Sequence, residues 1–165
     1  MIVSALDKNL KELNDFVMSL AESELNLSKG GWTVFEILDH LLITEKSVQR
    51  LISGHGSGVS QHLENFGNDR LNKILFEGRE RKVAAPEFLS PKNAFKNKET
   101  FLEQFNQVRK ALHLLIEKEG ILSKNTTFKH PMLGEMTASD WMYFLIHHLR
   151  RHIEQIKKII SAQSE

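Results

Sequence analysis

The feature that most constrains the fold of this chain is an apolar repeat at alternating spacings of four and three, which recurs in four stretches. This spacing places the repeating side chains on one face of an α-helix. Four amphipathic helices of similar length predict an all-α fold, a four-helix bundle. The inward positions are Leu6, Leu10, Leu13, Val17 and Leu20; Ile37, Leu41, Thr44, Val48 and Leu51; Phe101, Phe105, Val108, Leu112 and Leu115; and Trp141, Leu145, His148, His152, Gln155 and Ile159.

Local signals mark the ends of these helices. Thr33 followed by Glu36 fits a capping box, in which each side chain satisfies a free backbone N–H at the start of the second helix. Thr137 and Asp140 repeat the pattern before the fourth helix, with Asp as a shorter substitute for Glu. Gly120 is a natural left-handed residue with which to end the third helix. All three prolines lie outside the periodic stretches.

The connections between the helices are unequal. We expect residues 1–165 to form one domain, with a long crossover over residues 52–96 between the second and third helices. The crossover begins with a glycine-rich segment, residues 54–58, that is predicted to be a flexible loop, and residues 68–77 are predicted to add a short helix. Residues 121–136 are predicted to be an extended segment and a turn.

Composition excludes several classes of protein. Lys and Arg total 22 against 21 Asp and Glu, a net charge of +1 that argues against a nucleic-acid-binding protein. The chain has no cysteine, which excludes disulfides, thiolate metal sites and a cysteine nucleophile. It shows no signal peptide and no apolar run of the roughly 18 residues that cross a bilayer. We therefore expect a cytoplasmic protein with no membrane or nucleic-acid partner.

The placement of the histidines suggests a metal site. His148 and His152 lie four residues apart, so both side chains share one face of the fourth helix, at inward positions. His40 lies at the edge of the apolar face of the second helix and is a candidate third ligand. Three imidazoles leave coordination positions open, as in catalytic zinc sites. The alternative is that these histidines only form hydrogen bonds within the core.

The other histidines are weaker candidates. His147 is a poor ligand candidate because its neighbour four residues on is Arg151. The basic cluster at residues 79–82 is interpreted as a solvated loop. Loop or surface positions are expected for His55, His62, His113 and His130.

Three segments of the sequence resemble the DinB/YfiT-like superfamily. The first is the segment Trp32 to Leu41, in which a tryptophan precedes His40 by eight residues, and the second is the His-Pro and Gly turn of residues 130–137. The third matches the closing pattern of the family, with Trp141, His148, Arg151, His152 and Gln155. The resemblance implies a four-helix bundle that binds one divalent metal ion in an open cleft through His40, His148 and His152.

The resemblance also directs the functional prediction. Members of this superfamily include transferases of low-molecular-weight thiols and a thiol-dependent isomerase, and some form dimers. We therefore expect a metal-dependent transferase, possible as a homodimer, that binds zinc or nickel, with iron as a further option, and joins a small thiol to an electrophilic substrate. Thr44 and Trp141 are predicted to line the cleft. The alternatives are a metal-dependent hydrolase and a non-catalytic bundle that binds a ligand or a partner.

Overall fold

The computed structural model describes residues 1–77, 86–93 and 95–163, so the basic cluster at residues 79–82 lies outside the described residues. The regular structure of this part of the chain consists of five α-helices, a small three-stranded sheet and short 3₁₀ and π-helical turns. In chain order these are α1 (Ile2–Ser19), α2 (Val34–Ile52), β1 (Gly58–Val59), α3 (Asn68–Asn72), α4 (Lys98–Glu119), β2 (Thr126–His130), β3 (Gly134–Thr137) and α5 (Ala138–Ala162).

The four long helices α1, α2, α4 and α5 form a bundle, which confirms the predicted fold and its long crossover. Both α1 and α2 pack against α4 and α5. The consecutive helices α1 and α2 therefore occupy opposite corners of the bundle, as do α4 and α5. Because α2 and α5 are neighbours, side chains far apart in sequence meet along their common interface.

The helix ends form where the sequence predicts them. The Thr33 hydroxyl accepts a hydrogen bond from the Glu36 backbone N–H, and the Glu36 carboxylate accepts one from the Thr33 N–H, both at 3.1 Å. Gly120 ends α4 with φ 61° and ψ 35°, the left-handed conformation expected there. Local capping chemistry thus determines where α2 begins and where α4 ends.

A buried polar network lies inside the bundle. Arg109 on α4 donates through Nε to Glu45 Oε1 at 2.7 Å and through Nη2 to Asn9 Oδ1 at 2.8 Å. The Asn9 amide in turn donates to the carbonyl of Ile146 on α5 at 3.3 Å. Burial raises the pKa of Glu45, although the Arg109 charge and hydrogen bond act in the opposite direction. One network therefore links all four bundle helices.

The glycine-rich start of the crossover is packed against the sheet, so the predicted flexible loop is replaced by an ordered one. β1 pairs antiparallel with β2, and the Ser57 N–H donates to the Thr127 carbonyl at 2.8 Å. Gly56 has φ 78°, and a Cβ at this position would lie 2.7 Å from the Thr127 carbonyl oxygen and closer still to Thr126 Cγ2. Only glycine fits this close approach of two backbones.

Asp140 attaches the crossover to the start of α5. Its buried carboxylate accepts a hydrogen bond from the Thr137 N–H at 3.1 Å, which completes the second capping box. It also accepts bonds of 2.8–3.1 Å from the backbone N–H groups of Asn65, Phe66 and Gly67. A single carboxylate thus binds four backbone amides from two distant segments.

The middle of the crossover carries the short helix predicted over residues 68–77. α3 is followed directly by a π-helical turn, Lys73–Glu77, and both elements pack against α5. The predicted extended segment and turn before α5 is the hairpin of β2 and β3. In the described part of the chain, none of the helices has the length and apolar character needed to cross a membrane.

Candidate metal centre

The structure brings His40, His148 and His152 together at the interface of α2 and α5. The ring centroids of the three imidazoles lie 4.6–5.1 Å apart, and Nε2 of His40 is 3.2 Å from Nε2 of His148. One nitrogen from each ring falls within 4.8 Å of the others. His40 is buried, while the two α5 histidines are half-buried. Three ring nitrogens therefore converge within the span of one coordination sphere.

Hydrogen bonds at Nδ1 orient the rings of His40 and His152 so that Nε2 of each ring can bind a cation. Nδ1 of His40 lies 2.8 Å from the Leu89 carbonyl, which can only accept, so this nitrogen carries the proton and Nε2 keeps its lone pair. Nδ1 of His152 makes the same kind of bond with Gln155 Oε1 at 2.7 Å. Burial, chiefly, lowers the pKa of His40 and favours the neutral ring. Neutral imidazoles with an oriented Nε2 are the donors that zinc, nickel and iron accept.

Asp39 holds the backbone that orients His40. Its fully buried carboxylate accepts hydrogen bonds from the backbone N–H groups of Lys92 and Asn93 at 2.6 and 2.7 Å. These bonds fix the segment whose Leu89 carbonyl bonds to the His40 ring. Sequence reasoning did not single out Asp39, although its place next to His40 in the motif was a usable signal.

Aromatic rings also restrict the histidines. The Trp32 ring lies 5.0 Å from that of His40, and the Phe144 ring stacks on that of His148 at 5.4 Å, with an angle of 13° between the planes. Packing of this kind limits ring rotation, so the nitrogens stay in place without a bound ion.

The three histidines line a cleft of about 790 Å³. Thr44 and Trp141 also line it. The Thr44 hydroxyl donates to the His40 carbonyl at 2.9 Å, and the Trp141 Nε1–H donates to the Phe128 carbonyl at 2.9 Å. Much of the remaining wall is apolar and comprises Trp32, Val48, Leu51, Ile74, Leu75, Phe88, Leu89, Met132, Leu133 and Phe144.

His130 belongs to the cleft, although the sequence suggested only a loop or surface position. Its ring packs 5.4 Å from Trp141 and 5.3 Å from Phe144. Its Nδ1 accepts hydrogen bonds from the N–H groups of Met132 and Leu133, so the proton of the neutral ring is on Nε2. The hairpin between β2 and β3 brings this ring to the cleft, and a spacing argument confined to helices does not detect it.

His147 lies outside the cluster, and the sequence had indicated that it was a poor candidate for a metal ligand. Nε2 bonds to Asn68 Oδ1 at 2.7 Å, and Nδ1 accepts from Arg150 at 3.1 Å. Burial, with a further contribution from the Arg150 charge, lowers the pKa of His147 to about 4. His55 and His62 are exposed, and Nε2 of His113 lies 3.0 Å from Glu117 Oε1 on α4.

The fold and the site together define a class of helical bundle. In this class, consecutive long helices lie at opposite corners of the bundle, and three histidines line a cleft. The chain belongs to the DinB superfamily, whose family model matches residues 5–156. It is 25% identical over 142 residues to the uncharacterized protein YuaE of Bacillus subtilis (strain 168), with 85% of each chain covered. YfiT from Bacillus subtilis shares the fold with a TM-score of 0.59 and 14% identity, over 99% of this chain and 86% of that one. That protein is described as a probable metal-dependent hydrolase with an unusual four-helix bundle topology.

Proposed function

We propose that this protein is a divalent-metal-dependent transferase that joins a low-molecular-weight thiol to a small electrophilic molecule. The observation that carries the proposal is the convergence of His40, His148 and His152 on the wall of a large cleft. The three histidines would hold the ion through imidazole nitrogens. Zinc and nickel are the first candidates for the ion, and iron is a further one.

The lining of the cleft favours a thiol over water as the nucleophile. When bound, a divalent ion lowers the pKa of a thiol or a water molecule that ligates it, and so supplies a nucleophile near neutral pH. Water is far less acidic than a thiol, and hydrolytic sites commonly add a carboxylate base. Among the described residues that line the cleft, none is Asp or Glu. The chain has no cysteine, so the thiol has to come from a cosubstrate.

The remaining cleft residues would bind and shield the reactants. Trp141 and Phe144 present apolar surface next to the histidines, and this surface suits an apolar electrophile and limits the access of water. The Thr44 hydroxyl is bonded to the backbone of α2, so this residue would shape the wall. A volume of about 790 Å³ accommodates a small thiol together with a second small molecule.

The second candidate is a metal-dependent hydrolase. It is favoured by the description of YfiT as a probable metal-dependent hydrolase and by His130, whose ring in the cleft can accept or donate a proton. This candidate requires turnover without any added thiol.

The first experiment is elemental analysis of the untagged wild-type protein after dialysis without chelator, beside His148→Ala and the exposed control His62→Ala. We expect close to one equivalent of metal in the wild type and in His62→Ala, and a large loss in His148→Ala. An absence of metal from the wild type, even after reconstitution with zinc, nickel or iron(II), would refute the metal-dependent function.

The second experiment identifies the nucleophile. The metal-loaded protein is assayed with monochlorobimane or chlorodinitrobenzene and with cysteine, glutathione or coenzyme A as the thiol, and with a panel of ester and amide substrates without thiol. Conjugation that needs both the thiol and His148 supports the transferase. Hydrolysis that needs His148 but no thiol supports the second candidate and contradicts the first.

A further inference from the structure

The buried polar network of the bundle is connected to both helices that carry the three histidines. Its side chains, Asn9, Glu45 and Arg109, are buried and lie outside the lining of the cleft. Arg109 on α4 donates to Glu45 on α2 and to Asn9 on α1, and the Asn9 amide donates to the Ile146 carbonyl on α5. Hydrogen bonds through α1 and α4 therefore join α2 to α5.

The two points of attachment lie close to the histidines. Glu45 follows His40 by five residues on α2 and comes directly after Thr44, which lines the cleft and donates to the His40 carbonyl at 2.9 Å. Ile146 precedes His148 by two residues on α5, or about 3 Å along the helix axis. A shift of either helix at the network would therefore move the imidazoles as well.

The network is poorly suited to serve stability alone. Nε and Nη2 of Arg109 both approach Oε1 of Glu45, and none of the described residues forms a hydrogen bond with the buried Oε2. A buried oxygen without a partner costs stability, and apolar side chains of similar volume often replace buried ion pairs without loss. Directional hydrogen bonds do fix the separation of the helices they join, and a metal site requires its ligands within about 0.5 Å of their working positions.

We propose that Asn9, Glu45 and Arg109 are positioning residues for the metal centre: their hydrogen bonds set the separation and register of α2 and α5, and thereby hold the three imidazoles within the span of one ion. This role rests on the proposed function, because it takes the histidines to be metal ligands. The order of the imidazoles in the metal-free protein can be measured separately.

The test removes the network without leaving a buried charge. The triple variant Asn9→Leu, Glu45→Leu and Arg109→Met removes one charge of each sign, so the formal net charge is unchanged. Asn9→Ala is a second variant, which removes the link to α5 and keeps the ion pair. The control, Asn14→Leu with Asn106→Leu, removes two amides that donate to each other at 3.3 and 3.0 Å and join α1 to α4, the long helices without these histidines.

Urea unfolding compares the stability of the metal-free proteins, and competition with a chromophoric chelator measures their zinc affinity. We expect the triple variant to unfold at the urea concentration of the wild type or a higher one, yet to bind zinc about tenfold more weakly. Asn9→Ala should lose less affinity, and the control should match the wild type. Wild-type affinity in both network variants, or an equal loss in the control, would overturn the proposal. Asn9→Ala decides the question if the triple variant does not fold.

A second readout needs no metal. Long-range proton–nitrogen NMR spectra of the chelator-treated proteins report the surroundings of each imidazole. In the triple variant the resonances of His40, His148 and His152 should shift or broaden, while those of the exposed His55 and His62 should match the wild type. Unchanged spectra would overturn the positioning role. If the wild type binds no metal, the proposed function fails, and these spectra still decide whether the network positions the rings.

Discussion

At the scale of single residues, the site depends on groups other than the three histidines. His40 keeps its orientation because the Leu89 carbonyl accepts its Nδ1 proton, and Leu89 is in place because Asp39 binds the two backbone amides that follow its segment. Partners of this kind determine which ring nitrogen carries the proton and therefore which one remains free for an ion. The residue next to a proposed ligand thus has a function of its own.

Asp39→Asn should weaken zinc binding about 10- to 100-fold, the usual cost of losing a hydrogen-bonding partner of a metal ligand. The amide bonds less strongly to the N–H groups of Lys92 and Asn93, so the Leu89 carbonyl is held less firmly. Competition with a chromophoric chelator measures the affinity. Asp15→Asn, an exposed change on α1, serves as the control, and equal affinities of the two variants would contradict this role.

Arg109→Met should destabilise the protein by about 3–5 kcal/mol, because it leaves the Glu45 carboxylate buried without its cation. The double variant Glu45→Leu with Arg109→Met should recover most of this loss. Burial raises the pKa of Glu45 above its usual 4.5, so the folded state holds its proton more tightly than the unfolded state. Removal of Arg109, whose charge and hydrogen bond lower this pKa, should raise it further, so the loss in Arg109→Met should be smallest below pH 4.5, where Glu45 is protonated with or without Arg109, and increase as the pH rises. Urea unfolding at several pH values tests both statements, and a loss that shrinks as the pH rises would contradict them.

At the scale of elements, the crossover is an integral part of the bundle. The start of α5, the strand β1 and the backbone of residues 65–67 share one set of hydrogen bonds, centred on Asp140 and on the edge of β2. The same arrangement brings Ile74 and Leu75 to the cleft wall. Loosening of the crossover should therefore affect the cleft as well as the stability.

Asp140→Ala should destabilise the protein by more than the loss of one helix cap, about 2 kcal/mol or more, because four backbone amides lose a charged acceptor. Thr33→Ala is the matched comparison, since it removes one cap at α2 and should cost about 1 kcal/mol. Hydrogen exchange should accelerate at residues 65–67 in Asp140→Ala only. Slow exchange there, with a stability loss equal to that of Thr33→Ala, would refute the attachment.

Gly56→Ala should cost clearly more stability than Gly30→Ala. Both glycines have positive φ, 78° and 75°, so the conformational cost of about 1 kcal/mol is common to the two variants. A Cβ at position 30 meets no atom within 4 Å, whereas one at position 56 collides with the β2 backbone. Midpoints of urea unfolding compare the variants, and equal losses would show that the close approach to β2 is absent in solution.

At the scale of the whole molecule, the sequence correctly predicted the features that depend on local patterns along the chain. Apolar spacing located the four long helices, and the histidines on α5 were singled out by their shared face. The position of His130 and the support from Asp39 were missed because both depend on tertiary placement of loops. The glycine segment was predicted to be flexible because its pairing partner, β2, lies about 70 residues further along the chain. Composition and spacing contain no information on such contacts.

Zinc at about 100 times its dissociation constant should stabilise the wild type by about 2.7 kcal/mol, which raises Tm by roughly 5–10 °C in a protein of this size. The added stability comes from an ion that binds the folded chain at one site. Differential scanning calorimetry with and without a chelator measures the shift. His148→Ala should show almost none of it, and an equal shift in both proteins would place the zinc elsewhere.

The diagonal arrangement of the bundle has a consequence for biosynthesis. His40 and His148 are separated by 108 positions, so the cluster cannot form until the ribosome has synthesised α5. A nascent chain that ends before α5 carries His40 alone of the three histidines, so the cluster is incomplete in it. An ion at this cluster would then bind only after residues 40–152 have been synthesised and folded.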